Sequence, residues 1–184
     1  MNARQLNPRA FGRRSQRGAS MMSVMLGLVI AAVLAAVVYT QFSESQRKAR
    51  ISENTADITS IVAGTKQLFG TTNTLANVTL AVAVQSGAIP DRLRDPGLNT
   101  ATNKYGGAIT IPVAATANLV GIRWANVPRS DCVDLIVGVQ GLMRQIAIGA
   151  NQVKPLDGVI NMATASTACD AAATAAIDLS FGRQ

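Results

Sequence analysis

Histidine is absent from this 184-residue sequence, and cysteine, aromatic and acidic residues are few. Without histidine, the chain can form neither a Ser-His-Asp nor a Cys-His catalytic arrangement, and no histidine-based metal site. Two cysteines do not make a structural zinc site without unusual partners. The ten acidic residues are dispersed, and no Walker loop or Gly-x-Gly-x-x-Gly motif occurs. The sequence therefore predicts no enzyme, no catalytic residue, no metal and no cofactor.

Acidic residues are missing before Glu44, whereas five of the seventeen basic residues lie in the first eighteen positions. Residues 19–184 hold twelve basic and ten acidic side chains, so the formal net charge of +7 falls to +2 without the N-terminal segment. A basic segment ahead of an apolar one is held on the cytoplasmic side of a membrane. The alternative is a nucleic-acid-binding arm. The apolar stretch that follows and the scarcity of aromatic residues for base stacking disfavour nucleic acid as a direct partner.

No charge of either sign occurs between Arg17 and Glu44, and the only good cleavage junction, Gly18–Ala19, precedes this apolar stretch. A Sec signal peptide has the reverse order, because its cleavage site follows the apolar core. The twenty-one residues 19–39 approach the roughly 20 that cross a bilayer core. Cleavage at the junction would leave an apolar helix at the new N terminus. Such a helix suits a subunit that polymerises through it better than it suits a secreted enzyme.

Small residues in the apolar stretch would let neighbouring helices approach closely. They are Gly27, Ala31, Ala32, Ala35 and Ala36. The alternative is a plain signal anchor. The helix is expected to continue without proline to Phe69, and Glu44 with Lys48 forms a favourable i,i+4 pair within it. The apolar residues expected on one face of its second half are Ile51, Ile58, Ile61, Val62, Leu68 and Phe69.

The remainder of the chain, about 74–184, is long enough for one small domain. Helices are expected over 74–85, with Gly87 as the C-cap, and from Ser130 as an N-cap, with an apolar face of Val133, Ile136 and Val137. The segment 91–107 is expected to be a loop. Strands are expected at 108–113, 120–125, 145–148, 153 and 177–181. Their alternation predicts an antiparallel sheet with one face on the long helix.

Cys132 and Cys169 are the only cysteines. If this domain is exported, the compartment is oxidising and the even count favours a disulfide. Closing a ring of this size would stabilise the fold by about 4 kcal/mol in the chain-entropy model. The alternative is a pair of buried free thiols in a cytoplasmic protein.

The sequence resembles the type IVb pilins, particularly the thin-pilus and conjugative-plasmid pilin precursors. Nearly the whole chain takes part in the resemblance, which rests on stretches similar in order and spacing to those of the family. These are Arg13–Gly18 followed by Ala19–Met22, Ser86–Pro90, Lys104–Ile111, Asn126–Cys132 and Ile177–Phe181. The resemblance implies the α+β type IV pilin fold, in which a long N-terminal helix packs against an antiparallel sheet with short helices. It divides the chain into a leader (1–18), a transmembrane and filament-core helix (19–40), an amphipathic half-helix with its exit (41–73) and a globular head (74–184).

The same resemblance implies a series of processing and assembly steps. A membrane prepilin peptidase would cut after Gly18 and N-methylate Ala19. The subunit would wait in the bacterial inner membrane with its head in the periplasm. An assembly ATPase and a platform protein would then move it into an extracellular helical homopolymer. Gly27, Ala31 and Ala35 would contribute to helix packing in the filament core, and the segment between Cys132 and Cys169 to contacts between heads.

One position departs from the family pattern, because Ser23 stands at the fifth mature position, where family members usually have Glu. In the family that carboxylate is thought to pair with the N-terminal amine of a neighbouring subunit, and a serine can offer only a neutral hydrogen bond. The departure favours either a minor or tip subunit, or a system that neutralises the amine in another way. Ser23→Glu is expected to assemble still.

Three interpretations follow from the sequence. The first is a pilus subunit, with the major subunit favoured because the head is small. The second is a pseudopilin of a type II secretion machine, which the cysteine-bounded C-terminal region disfavours. The third is an uncleaved, signal-anchored periplasmic binding module. The sequence does not distinguish adhesion, aggregation and conjugative mating contact as the role of a filament.

Overall fold

The computed structural model describes residues 21–69, 75, 78–95, 97–112 and 118–182. The chain divides into two compact units, with the boundary between Ser43 and Glu44. The helices and strands, in chain order, are α1 (Met21–Phe69), α2 (Leu80–Gln85), a 3-10 helix (Asp91–Leu93), β1 (Ala101–Thr102), β2 (Ala108–Thr110), β3 (Leu119–Pro128), α3 (Arg129–Val139), β4 (Gln145–Ile148), β5 (Asn151–Lys154), α4 (Met162–Asp170) and β6 (Thr174–Gly182). The predicted α+β class, with a long N-terminal helix and an antiparallel sheet, is confirmed.

The helix α1 runs without interruption to Phe69, as predicted, and its buried face lies in its second half. Glu44 and Lys48 form the predicted ion pair at 2.8 Å, and the hydrogen bond and charge of Lys48 lower the pKa of Glu44. The expected apolar face is only partly correct, because Leu68 is exposed and Ile51 is half-buried. The residues that α1 does bury are Asn54, Asp57, Ile58, Ile61, Val62 and Thr65. Half of this face is therefore polar.

The sheet has six antiparallel strands in the order β1-β2-β3-β6-β4-β5. Its centre is the long β3–β6 pair, which is interrupted by a register shift between Trp124 and Val127. Alternate residues of β3, β4 and β6 are buried, as the predicted period of two requires. On the other face, Arg123 donates to both carboxylate oxygens of Asp178 across the same pair, at 2.7 and 2.9 Å. Trp124 is fully buried in the core.

Two helix starts differ from the expectation. The helix α2 begins at Leu80 rather than near residue 74, because Thr79 caps it by accepting a hydrogen bond from the Val82 amide at 3.3 Å. In α3, the N-cap is Pro128, and Ser130 lies inside the first turn, where its hydroxyl donates to Asp131. The apolar face expected for α3 is only partly correct, because Ile136 is buried and Val133 packs against the core. Val137 is exposed, and the buried residues are Asp131, Cys132, Leu135, Ile136 and Val139.

Three elements were not predicted. The expected loop 91–107 contains the 3-10 helix and the two-residue strand β1, which is too short to show an alternating pattern. The helix α4 lies in the alanine- and threonine-rich region, where threonine has low helix propensity. Asn161 caps this helix, because its side-chain oxygen accepts a hydrogen bond from the Thr164 amide at 3.1 Å. Burial of Ala165, Ala168 and Cys169 stabilises α4 where propensity alone does not.

The turn before β2 requires glycine at two successive positions, Gly106 and Gly107. Gly106 has a positive φ of 72°. Asn103 closes the turn, since its side-chain oxygen accepts hydrogen bonds from the amides of Tyr105 and Gly107, both at 2.9 Å. A Cβ atom on Gly107 would lie 2.1 Å from the backbone oxygen of Ala125. Backbone atoms cannot move aside as a flexible side chain can, so no larger residue fits at this position.

Gly107→Ala is expected to lower the free energy of unfolding by about 3 kcal/mol or more, because the new methyl group would force β2 away from β3. Gly141→Ala is the matched control, since a Cβ atom there meets nothing within 4 Å, and its effect should stay within about 0.5 kcal/mol. Urea unfolding of the full chain in detergent micelles, followed by the fluorescence of the single buried tryptophan, measures both. Equal stabilities of the two variants would contradict the close approach at Gly107.

Candidate assembly surface

The N-terminal part of α1 presents a continuous apolar surface. From Met21 to Phe42 its large apolar side chains are all more than half exposed. By length and composition alone, α1 could cross a membrane, with a mean hydropathy of 2.7 in its most apolar window. An exposed apolar surface of this extent indicates contact with lipid or with other proteins.

The predicted packing residues lie on this segment. Ser23, Gly27, Ala31 and Ala35 recur every four residues and are exposed, and they form a stripe along one side of α1. A Cβ atom on Gly27 would meet nothing within 4 Å, so the space beside this stripe is open in the single chain. The predicted cleavage junction Gly18–Ala19 lies outside the described residues. Cleavage, N-methylation and the roles of these four residues stay predictions.

Further along α1, Arg47 is the first half-buried residue of the described helix. Its Nε atom donates to Asp131 Oδ1 of α3 at 3.1 Å, and its Nη2 atom contacts Asp134 and the backbone oxygen of Ser130. The Asp131 side chain is completely buried. Asp131 and Asp134 of α3 therefore bind a cation from α1. Removing one partner of a buried pair is strongly destabilising, because it leaves an uncompensated charge.

Tyr105, in the turn before β2, lies within the electrostatic influence of Asp131. Burial raises the pKa of Tyr105, and the negative charge of Asp131 raises it further. A raised pKa keeps the phenol of Tyr105 neutral in the folded protein. Tyr105 therefore does not reduce the free energy of unfolding below the ordinary tyrosine pKa of about 10. As the pH rises above that value, Tyr105 ionises more readily in the unfolded chain, and the free energy of unfolding falls. The turn, α3 and α1 thus share one electrostatic neighbourhood.

Two further polar side chains of α1 reach other elements of the head. Asn54 is fully buried, and its Oδ1 atom accepts a hydrogen bond from the indole nitrogen of Trp124 in β3 at 3.1 Å. Asp57 is 2% exposed, and its Oδ1 atom accepts a hydrogen bond from Arg92 Nε in the 3-10 helix at 2.7 Å. Together with Arg47–Asp131, these pairs are called the register contacts below.

Sequence reasoning missed the register contacts, although a signal for them exists. Arg47 and Asn54 precede Ile58 and Ile61 at spacings of seven, four and three residues, which keeps all four on one side of a helix. The predicted face contained apolar residues only. Polar residues continuing an apolar stripe would have indicated buried polar partners.

Cys132 and Cys169 are joined by a disulfide that ties α3 to α4, with a Cα–Cα distance of 5.8 Å. Both cysteines are buried. The segment between them exposes several large apolar side chains. They are Val137, Leu142, Leu156, Val159 and Met162. This cross-linked part of the head therefore offers apolar surface for contact with another protein.

An open cavity of about 570 Å³ lies beside the end of α3. Arg144 binds Asp157 at its wall, and the hydrogen bond from Arg144 lowers the pKa of Asp157. Lys154 donates to the backbone oxygens of Gln140 and Met143 at 2.7 and 2.6 Å, which satisfies carbonyl groups near the end of α3. These charged groups hold the loops together, and their arrangement is structural.

Comparison with known proteins gives a family and a fold. A family model described as PilS N terminal matches residues 48–180. The crystal structure of a type IVb pilin from Salmonella typhi superposes with a TM-score of 0.56 at 20% identity, and the match covers 72% of this chain and 99% of that one. The crystal structure of TcpA, a type IV pilin from Vibrio cholerae El Tor biotype, gives 0.52 at 13% identity and covers 72% of this chain and 98% of that one. No curated protein matches the sequence significantly.

Proposed function

This chain belongs to the PilS N-terminal family and has the fold of a type IVb pilin, and from that premise we propose that it is a type IVb pilin that polymerises through α1 into an extracellular filament. The observation that carries the proposal is the apolar segment from Met21 to Phe42. Its large apolar side chains are more than half exposed in the single chain, although the second half of the same helix belongs to a folded head. Such a surface requires an apolar partner. Lipid serves this purpose before assembly, and the same segments of other copies serve it afterwards.

The precursor is proposed to reside in the bacterial inner membrane, where a prepilin peptidase removes residues 1–18 and methylates Ala19. A platform protein and an ATPase then extract the subunit. Extraction exchanges one apolar environment for another, so little hydrophobic free energy is lost. The small residues Gly27, Ala31 and Ala35 support close packing of the helices in the filament core. The filament acts as a structural element, in adhesion, aggregation or mating contact, and the subunit has no catalytic role.

Immunogold electron microscopy of the host, with an antibody against the head, tests this proposal. Label along the whole length of extracellular filaments is the expected result and identifies the major subunit. Label at filament tips alone would identify a minor pilin. Label confined to the cell envelope would contradict the proposal and favour a pseudopilin or an anchored periplasmic module.

Ser23→Glu is expected to leave filament assembly intact, because the new carboxylate would sit at the proposed position for pairing with a neighbour's N-terminal amine. Ser20→Glu is the matched control, since it places the same charge three residues earlier. There the carboxylate has no proposed partner, and a buried unpaired charge is costly, so filament yield should fall. The measurement is the amount of subunit in sheared filaments relative to the total amount of subunit in the culture, compared between the two variants. Loss of filaments in Ser23→Glu, with the subunit still stable, would show that the charge pair does not operate in this protein.

A further inference from the structure

The buried face of α1 makes two kinds of contact, which respond differently to a shift of α1 along its own axis. Ile58, Ile61 and Val62 pack in the apolar core, and such contacts are non-directional, so neighbouring aliphatic residues can replace one another. The register contacts are directional, because each needs a donor and an acceptor at hydrogen-bond distance. They connect α1 to three separate parts of the head, namely α3, β3 and the 3-10 helix.

A shift of α1 by one helical turn, about 5.4 Å, would break all three register contacts together. It would leave the carboxylates of Asp57 and Asp131, both nearly or completely buried, without their arginines. It would also leave the buried indole nitrogen of Trp124 without its acceptor. Buried groups that lose their partners carry the full desolvation penalty. The slipped arrangement is therefore disfavoured even though its apolar packing could be similar.

Arg47 is the register contact nearest the N-terminal end of α1, and its partner Asp131 directly precedes Cys132. The Cys132–Cys169 disulfide joins α3 covalently to α4. Force along α1 would thus pass from Arg47 to Asp131 in α3. The next residue, Cys132, is covalently bonded to the second helix, α4. An ion pair placed elsewhere in α3 would lack this direct support.

We propose that the register contacts fix the axial position of α1 in the head and transmit tension on α1, through Arg47 and Asp131, to the disulfide-linked pair of α3 and α4. This inference rests on the proposed function, because a filament under load is what would apply the tension. The fixed register keeps the repeat between subunits constant while the filament is pulled.

Force spectroscopy on the single subunit tests the proposal. The full chain in detergent micelles, with the disulfide intact and handles at both termini, is held at constant force in optical tweezers. In the wild-type protein, α1 is expected to leave only when the head unfolds, in a single extension step. In Arg47→Met, α1 is expected to detach first, and the detachment rate should be at least about tenfold higher. With the disulfide reduced, the wild-type protein is expected to show an earlier partial step in which α1 leaves together with α3, because α3 is then no longer joined to α4.

Arg123→Met is the control, because it removes an arginine–aspartate pair that joins β3 to β6, is more exposed than Arg47–Asp131 and does not involve α1. Its detachment rate should stay within about twofold of the wild-type value. Should Arg47→Met fold poorly because Asp131 is left charged and buried, Arg47→Met/Asp131→Asn removes that charge, and it should still lose α1 first. Equal rates in the Arg47 and Arg123 variants, or early detachment of α1 from the wild-type head, would overturn the proposal. Absence of filaments in the host would overturn the proposed function and leave this single-subunit result unchanged.

Discussion

Gly18→Glu is expected to abolish extracellular filaments completely and to leave residues 1–18 on the protein. The proposed junction lies between a basic segment and an apolar helix, and a large acidic side chain there should prevent cleavage. An uncleaved subunit would carry its five leader arginines into the filament core, where unpaired charges are costly. Intact mass of the membrane fraction and electron microscopy of the cells measure the two effects.

Gly12→Glu is the control for this experiment, because it introduces the same charge into the leader six residues before the junction. It should leave cleavage and filament number close to those of the wild-type protein. Filaments built from uncleaved Gly18→Glu subunits would refute a required processing step. Loss of filaments in both variants would instead attribute the effect to leader charge.

Replacing both cysteines, in the variant Cys132→Ser/Cys169→Ser, is expected to lower the free energy of unfolding by about 4 kcal/mol, because the open chain regains the entropy that the cross-link removes. The two cysteines are fully or nearly fully buried, so the serine hydroxyls would add the cost of burying polar groups. Urea unfolding of the full chain, followed by the fluorescence of Trp124, gives the difference. Wild-type protein treated with a reductant should approach the stability of the variant, and the variant itself should not respond to reductant. A loss below about 1 kcal/mol would show that the disulfide contributes little to folding.

Much of the fold could be predicted because its signals are local. The uninterrupted helix α1 follows from the absence of proline and from the periodic apolar residues. The strands β3 and β6 follow from alternating residues such as Ile122, Trp124, Ile177 and Leu179, whose burial the structure confirms. Which strands pair with each other was not predicted, because alternation does not specify a neighbour. The start of α4 and the two-residue strand β1 depend on tertiary packing and on a cap at Asn161. Those features have no periodic pattern in the sequence.

The candidate assembly surface, too, could be predicted only where its sequence signal is local. The apolar surface of α1 was visible in the sequence, because hydropathy is a local property. The register contacts were not, since they join residues 35 to 84 positions apart. The junction Gly18–Ala19 and the pairing role at Ser23 rest on family resemblance, and chemical analysis of the assembled protein is needed to test the junction.

The most direct test is the intact mass and N-terminal sequence of this protein in the sheared extracellular fraction of its host. The protein is expected to begin at N-methylated Ala19 and to lack two hydrogens because of the disulfide between Cys132 and Cys169. That single result would establish processing, export and cross-linking together. Protein that begins at Met1 and occurs only in the membrane fraction would contradict the account.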